Sequence, residues 1–291
     1  MNCNLCPREC NIDRNVAKGL CGTNDKITVA NASLHMWEEP CISGENGSGT
    51  VFFCGCNLKC VYCQNREISN NNTGREISLQ RLSEIFMELQ NQGAHNINIV
   101  TGTHFADKIV IALDIAKSKG LSVPIVYNTS GYESLKTLKF LKPYVDIYLT
   151  DFKYFNPVLA QNYSKAINYP DIAKKALDEM VSQKDLSFDN DGMMKQGVLV
   201  RHLCLPGQEK DSKKILEYLH YNYGDRIIIS IMNQFTPISL DAYPEINRKL
   251  SPKEYERIIS YALSIGIDNA FIQEGETAQE SFIPQFDNRG I

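Results

Sequence analysis

Seven times after residue 45, a short run of β-branched and aromatic residues is separated from the next by a stretch long enough for a helix. This alternation restricts the folds open to the chain more than any other feature. The runs are "GTVFFCG" (49–55), "INIVT" (97–101), "VPIVYN" (123–128), "VDIYLTD" (145–151), "GVLVRHL" (197–203), "RIIISIM" (226–232) and "NAFIQ" (269–273). Short continuous apolar runs of this kind suit strands covered on both faces. Between them, Leu79, Leu82, Ile85, Phe86 and Leu89 recur at helical spacing, with Ser78 placed to cap the start and Gly93 to end it. A second helical stretch over 105–119 stops at Gly120. Ser130 and Glu133 read as a capping box for a helix carrying Leu135, Leu138 and Leu141, and Ser251, Pro252 and Glu254 mark a further helix start. Residues 184–194 read as a polar loop. The pattern predicts an α/β fold with a parallel sheet wrapped by helices, either doubly wound or a barrel.

The first 45 residues do not follow the alternation. They carry Cys3, Cys6, Cys10 and Cys21, and they read as a small cysteine-rich N-terminal metal-binding lobe (1–45) ahead of the main domain (46–291). Four thiolates in a segment with little apolar content of its own are explained by a metal that folds it. Zinc and a second iron–sulfur cluster both fit four thiolates, and unligated thiols in a flexible tail are the plain alternative.

With 30 Lys and Arg against 34 Asp and Glu, the net charge is −4, and no basic run is present to follow a phosphate backbone. Nucleic acid is not an expected partner. No apolar stretch reaches membrane-span length, and "MNCNLCPREC" lacks the apolar core of a signal peptide. A cytosolic protein is expected, in which clustered cysteines point to metal or catalysis more than to disulfides.

The segment "CGCNLKCVYCQN" (54–65) concentrates four of the ten cysteines, and Cys56, Cys60 and Cys63 are spaced C-x3-C-x2-C with Tyr62 before the last. A closed zinc site would need Cys54 or a distant His as fourth ligand. A [4Fe-4S] cube held by three thiolates keeps an open coordination position on one iron, where a substrate or cofactor can bind. Cys41, Cys54 and Cys204 read as buried bystanders.

The triplet resembles the signature of the radical S-adenosylmethionine (SAM) enzymes, C-x3-C-x-aromatic-C, and "CNLKCVYCQN" with "GSGTVFFCGC" (47–56) is similar to the pyruvate formate-lyase activating enzyme branch. Matches extend over most of residues 40–235, and the likeness is greatest to an activating-enzyme-like branch with a cysteine-rich N-terminus. The resemblance implies a partial (β/α)6 barrel, a [4Fe-4S] cluster on Cys56, Cys60 and Cys63, and SAM chelated to the open iron. It further implies an oxidoreductase in which reductive cleavage of SAM gives a 5'-deoxyadenosyl radical. Flavodoxin or ferredoxin would supply the electron, and a hydrogen atom would be taken from a glycine of a partner glycyl radical enzyme. Modification of another protein or of a small molecule, or non-catalytic electron transfer, are the rival readings.

The same likeness assigns the SAM site. In "TGTHF", Gly102 keeps a small residue while Thr103 and His104 stand where the family has Gly and Glu. His104 would accept a hydrogen bond from the SAM amine, contact a substrate, or simply begin a helix. "YNTSG" puts Asn128 and Thr129 at an Asp-Thr-Asn-Gly turn, with Asn128 in place of the Asp of a cation site. Asp151 and Lys153 match an Asp-x-Lys motif, with a surface ion pair as the plainer account. Arg201 is placed near the SAM carboxylate and His202 near the ribose or substrate. All these positions fall at strand C-terminal ends or in the loops that follow, where β/α barrels assemble their sites.

Overall fold

The computed structural model describes residues 3–70, 73–238, 240–273 and 286–291. Ten strands form its sheet: β1 (Thr28–His35), β2 (Ser48–Phe53), β3 (Arg75–Glu76), β4 (Ile97–Val100), β5 (Ile125–Thr129), β6 (Ile147–Asp151), β7 (Ser187–Phe188), β8 (Met194–Leu203), β9 (Ile228–Met232) and β10 (Ala270–Ile272). All seven apolar runs lie in strands, and β2, β4, β5, β6, β8, β9 and β10 pair parallel in that spatial order. Beyond β2, β1 pairs antiparallel and carries β3 on its outer edge. The sheet ends at β10 on one side and β3 on the other, so it is an open, partial barrel.

Nine helices complete the described residues: α1 (Pro40–Ser43), α2 (Arg66–Ser69), α3 (Leu79–Asn91), α4 (Ala106–Ser118), α5 (Leu135–Leu141), α6 (Pro157–Ser164), α7 (Tyr169–Gln183), α8 (Glu209–Tyr223) and α9 (Pro252–Ser264). The apolar stripe of α3 is buried through Leu82, Ile85, Phe86 and Leu89, and Ser78 caps it by accepting from the Arg81 N–H at 3.0 Å. The expected cap of α5 is corrected by one turn position. Ser134, the last extended residue, accepts from the Thr137 N–H at 3.2 Å, so Glu133 is released to point inward. The loop expected over 184–194 contains the hairpin of β7 against β8, closed where Asp189 accepts from the backbone N–H groups of Asp191 and Met193.

Residues 28–35 of the N-terminal segment join the main sheet as β1, while residues 3–27 form a strap with little regular structure. The strap lies on the loops that follow β2, β4 and β5. The Cys21 carbonyl accepts from the Cys56 N–H at 3.1 Å, and Thr137 donates to the Leu5 carbonyl at 2.5 Å. Arg14, buried to 5% exposure, donates to the His104 carbonyl, the Asn24 carbonyl and Thr23 Oγ1. Gly55 (φ +84°) makes this docking possible, because a Cβ there would lie 2.4 Å from Thr23 and 2.8 Å from the Cys21 carbonyl oxygen.

At the other end of the fold, α9 begins with the expected capping box of Ser251 and Glu254. The Glu254 carboxylate also accepts two bonds from Arg248, each 2.7 Å, and one from the Gly207 N–H at 3.0 Å. These donors, Arg248 foremost, hold the carboxyl well below the usual range. Glu254→Gln should therefore lower stability by about 1–2 kcal/mol at neutral pH. Because the folded-state pKa is depressed, that difference is full above about pH 5, begins to fall as the pH drops below about 4, and is gone only once the pH passes the folded-state value. Urea unfolding of both proteins across this range checks it, and a difference that does not change with pH would refute the assignment.

Candidate active site

The C-terminal ends of the parallel strands surround a cavity of about 550 Å³. Its wall includes Cys56, Cys60, Cys63, Tyr62, Asn128, Thr129, Asp151, Lys153 and Arg201. The three sulfurs come from one loop after β2, turned by Lys59 in a left-handed conformation (φ +54°). Each meets at least one donor. Cys56 Sγ accepts from the Leu58 N–H at 3.3 Å and Cys60 Sγ from the Ser164 hydroxyl at 3.0 Å, while Cys63 is approached by Ser69 and the Asn65 N–H. Burial pushes the Cys63 thiol up to about 12 and raises Cys56 as well. Three half-buried thiols facing one cavity with donors on their sulfurs fit a thiolate-held cluster, whose iron would keep them deprotonated. Among the described residues, no three His, Cys, Asp or Glu side chains converge as a single-ion site requires.

Around this loop the polar residues divide into two groups. Asp151 and Lys153 share a face at the end of β6 and pair at 2.6 Å within the cavity wall. Burial acts to lower the lysine pKa, but Asp151 and Cys60 outweigh it and the net shift is upward. Arg201 on β8 is already bound to protein carboxylates. Its Nε and Nη2 reach the two oxygens of Glu39 at 2.8 and 2.6 Å, and Nη2 also bonds Glu38. Glu38 accepts in addition from Asn98 at 2.8 Å and from Asn128 at 3.5 Å. Burial would raise Glu39, yet Arg201 prevails and holds it below its ordinary value.

Gly102, Thr103, His104 and His202 lie outside the cavity wall. Gly102 is confined by packing, since a Cβ would come within 2.7 Å of Ile99 and Ile109. His104, 2% exposed, donates from Nε2 to the Cys54 carbonyl at 2.7 Å, and His202 donates from Nδ1 to the Phe152 carbonyl at 2.9 Å. Burial lowers both histidines to about 4, so both are neutral at pH 7 and fix backbone next to the site. Thr103 and Thr129 instead donate to Glu133, the first at 2.7 Å, and Tyr127 completes the set at 3.3 Å. Burial outweighs these donors and raises Glu133 to about 7.

Sequence reasoning missed Glu38, Glu39 and Thr101. The two glutamates pair with a residue 162 to 163 positions away, and nothing in "MWEEP" announces that. Thr101 lines the cavity at φ +57°, an uncommon conformation for a β-branched residue and of a kind that gathers at ligand sites.

The sequence pattern of the radical SAM superfamily matches residues 50–219, and the chain belongs to that superfamily. It is 30% identical over 279 residues to the uncharacterized protein MJ0674 of Methanocaldococcus jannaschii, covering 92% of this chain and 76% of that protein. In fold it resembles Streptococcus suis SuiB bound to S-adenosylmethionine (TM-score 0.51, 13% identity, 76% of this chain and 48% of that one). It also resembles methylornithine synthase PylB (TM-score 0.51, 14% identity, 80% and 75%). The chain thus spans about half the length of SuiB. Superfamily membership implies an enzyme of radical chemistry with a [4Fe-4S] cluster and SAM.

Two carboxylates buried on one guanidinium make Arg201 a structural keystone of the cavity. Arg201→Ala should cost about 3–5 kcal/mol of stability, because Glu38 and Glu39 are left as unpaired buried charges. Adding Glu38→Gln and Glu39→Gln should restore part of it. Denaturant unfolding at pH 7 measures both, and an Arg201→Ala protein as stable as the parent would dismiss the keystone role.

Proposed function

We propose that the protein cleaves SAM reductively at a [4Fe-4S] cluster held by Cys56, Cys60 and Cys63, and abstracts a hydrogen atom from a bound substrate. The observation that carries this is the convergence of those three thiols with Asp151, Lys153 and Asn128 on one cavity at the strand C-termini. When bound, cluster and SAM supply one-electron cleavage and a hydrogen-abstracting carbon radical. The chain's own part is to seat them: the cysteine loop presents its sulfurs, the Asp151–Lys153 pair and Asn128 offer hydrogen bonds to SAM's polar groups, and Tyr62 closes the wall beside them. Anaerobically reconstituted Cys60→Ala should lose most of the cluster iron and all SAM cleavage, whereas Cys54→Ser should keep both. Full cleavage by Cys60→Ala would end this reading.

The substrate proposed is a glycine of a partner glycyl radical enzyme, with flavodoxin or ferredoxin as electron donor and the cytosol as the compartment. The activating-enzyme likeness of "CNLKCVYCQN" supports it. A second reading, a small polar molecule, is favoured by the Glu38, Glu39 and Arg201 network in the cavity wall. A partner enzyme made with α-deuterated glycine separates them: deuterium appears in 5'-deoxyadenosine only under the first.

The proposal extends to a second metal centre on Cys3, Cys6, Cys10 and Cys21, a [4Fe-4S] cluster in preference to zinc, because no three of these thiols converge as one ion would require. Its support is proximity: a Cβ at Gly19 would lie 3.3 Å from Cys21 Sγ and 3.6 Å from Cys10 Sγ, and Cys6 feels the charge of both thiols. The Leu20 N–H points to Cys10 Sγ at 3.4 Å. Metal analysis of a Cys3, Cys6 and Cys10 triple alanine variant should show loss of about four irons or one zinc. No change in either metal removes this centre from the proposal.

A further inference from the structure

Cys60 is met by a hydroxyl that heads a chain of further hydroxyls. The Leu58 N–H points to Cys56, and the Asn65 N–H and the Ser69 side chain approach Cys63, while Cys60 receives the hydroxyl of Ser164, a wholly buried residue at the end of α6. Ser164 Oγ lies 2.8 Å from the Tyr154 hydroxyl, which lies 2.6 Å from the Tyr62 hydroxyl. A hydroxyl has one proton to give and lone pairs to receive with, and a metal-bound cysteine is a thiolate that can only accept. Ser164 must then spend its proton on Cys60, so it accepts from Tyr154. Tyr154 in turn accepts from Tyr62. All three O–H dipoles point the same way, toward the sulfur.

The end of this chain next to the sulfur is clamped. Arg8, set between Cys6 and Cys10 in the strap, donates to the carbonyls of Ser164 (3.1 Å), Lys165 (2.7 Å) and Asn57 (2.8 Å), while the Val61 N–H donates to the Tyr163 carbonyl at 2.8 Å. Lys165 ends α6 in a left-handed conformation (φ +48°), which turns its carbonyl and that of Ser164 toward Arg8. The cysteine loop and the end of α6 are therefore tied together by main-chain and side-chain bonds that hold Ser164 Oγ on Cys60.

We infer that Ser164, backed by Tyr154 and Tyr62, is a positioning residue that sets the reduction potential of the cluster through Cys60. A donor to a cluster sulfur stabilises the more negative, reduced state and raises the potential, and hydroxyls in series polarise one another and strengthen the last bond. The inference rests on the cluster assignment to Cys56, Cys60 and Cys63.

The test is a potentiometric titration of the reconstituted full chain without SAM, following the electron paramagnetic resonance signal that disappears in Cys60→Ala. Ser164→Ala should retain wild-type iron and shift the midpoint to more negative potential. Tyr154→Phe should shift it in the same direction by less. A midpoint unchanged or more positive in Ser164→Ala overturns the inference. If Ser164→Ala fails to assemble, Tyr154→Phe decides, and an unchanged midpoint there overturns it equally. Failure of the cluster assignment is separate: it would appear as a wild-type protein with no signal dependent on Cys60.

Discussion

Three sulfurs on one short loop must face a single cavity, and that loop has no regular hydrogen-bonded structure of its own. Its conformation depends on backbone groups borrowed from distant segments. The Gly55 N–H bonds the Ile68 carbonyl at 2.7 Å, the Cys56 N–H bonds Cys21, and the Val61 N–H bonds Tyr163. The Asn57 side chain donates to the Tyr132 carbonyl at 3.0 Å, and neutral His104 holds the Cys54 carbonyl. Each bond alone contributes about 1 kcal/mol. Together they replace the ladder that a strand or helix would supply, and the strap, α2, the loop before α5 and α6 are all placed where the cysteine loop needs a partner.

The interior beside this loop manages charge by pairing and by neutralisation. Arg201 meets Glu38 and Glu39, and Lys153 meets Asp151, each within bonding distance of its opposite charge. His104 and His202 have no such partner and stay neutral. Glu133, with three hydroxyl donors and no cation, falls between and is raised to about 7. The low-dielectric setting makes these differences large, since an unpaired buried charge is heavily penalised.

How much of this could be read from the sequence follows from the range of the interactions involved. The parallel strands were legible because burial on both faces writes a continuous apolar run, and the Ser78 and Ser251 caps because their partners lie three residues away. The cysteine triplet was legible for the same local reason. Arg201 and His202 show where local reasoning had more to give: neighbours on a strand face opposite sides, so only one of them can line the cavity. Glu38, Glu39 and Arg8 were not legible, as Arg201 lies 162 to 163 positions from the glutamates, the α6 acceptors of Arg8 lie 156 to 157 positions from it, and no short pattern encodes them. The α5 cap lay one turn position from its expected place because Ser130 and Ser134 both offer a hydroxyl, and only the tertiary demand on Glu133 separates them.

The Arg8 clamp also bears on how the chain comes together. Its acceptors Ser164 and Lys165 lie 156 and 157 residues downstream, so during synthesis the strap and its four cysteines emerge long before the surface that receives them. Closing so long a loop is entropically only slightly harder than closing a short one, but it has to wait for α6 to be made. Until then the thiols of the strap are open to solvent and to oxidants, and afterwards Cys6 and Cys21 are buried. The reactivity of Cys6 and Cys21 thus depends on the order of synthesis: both are reachable while the barrel is incomplete and covered once it has closed, whereas Cys3 and Cys10 keep partial access to solvent throughout.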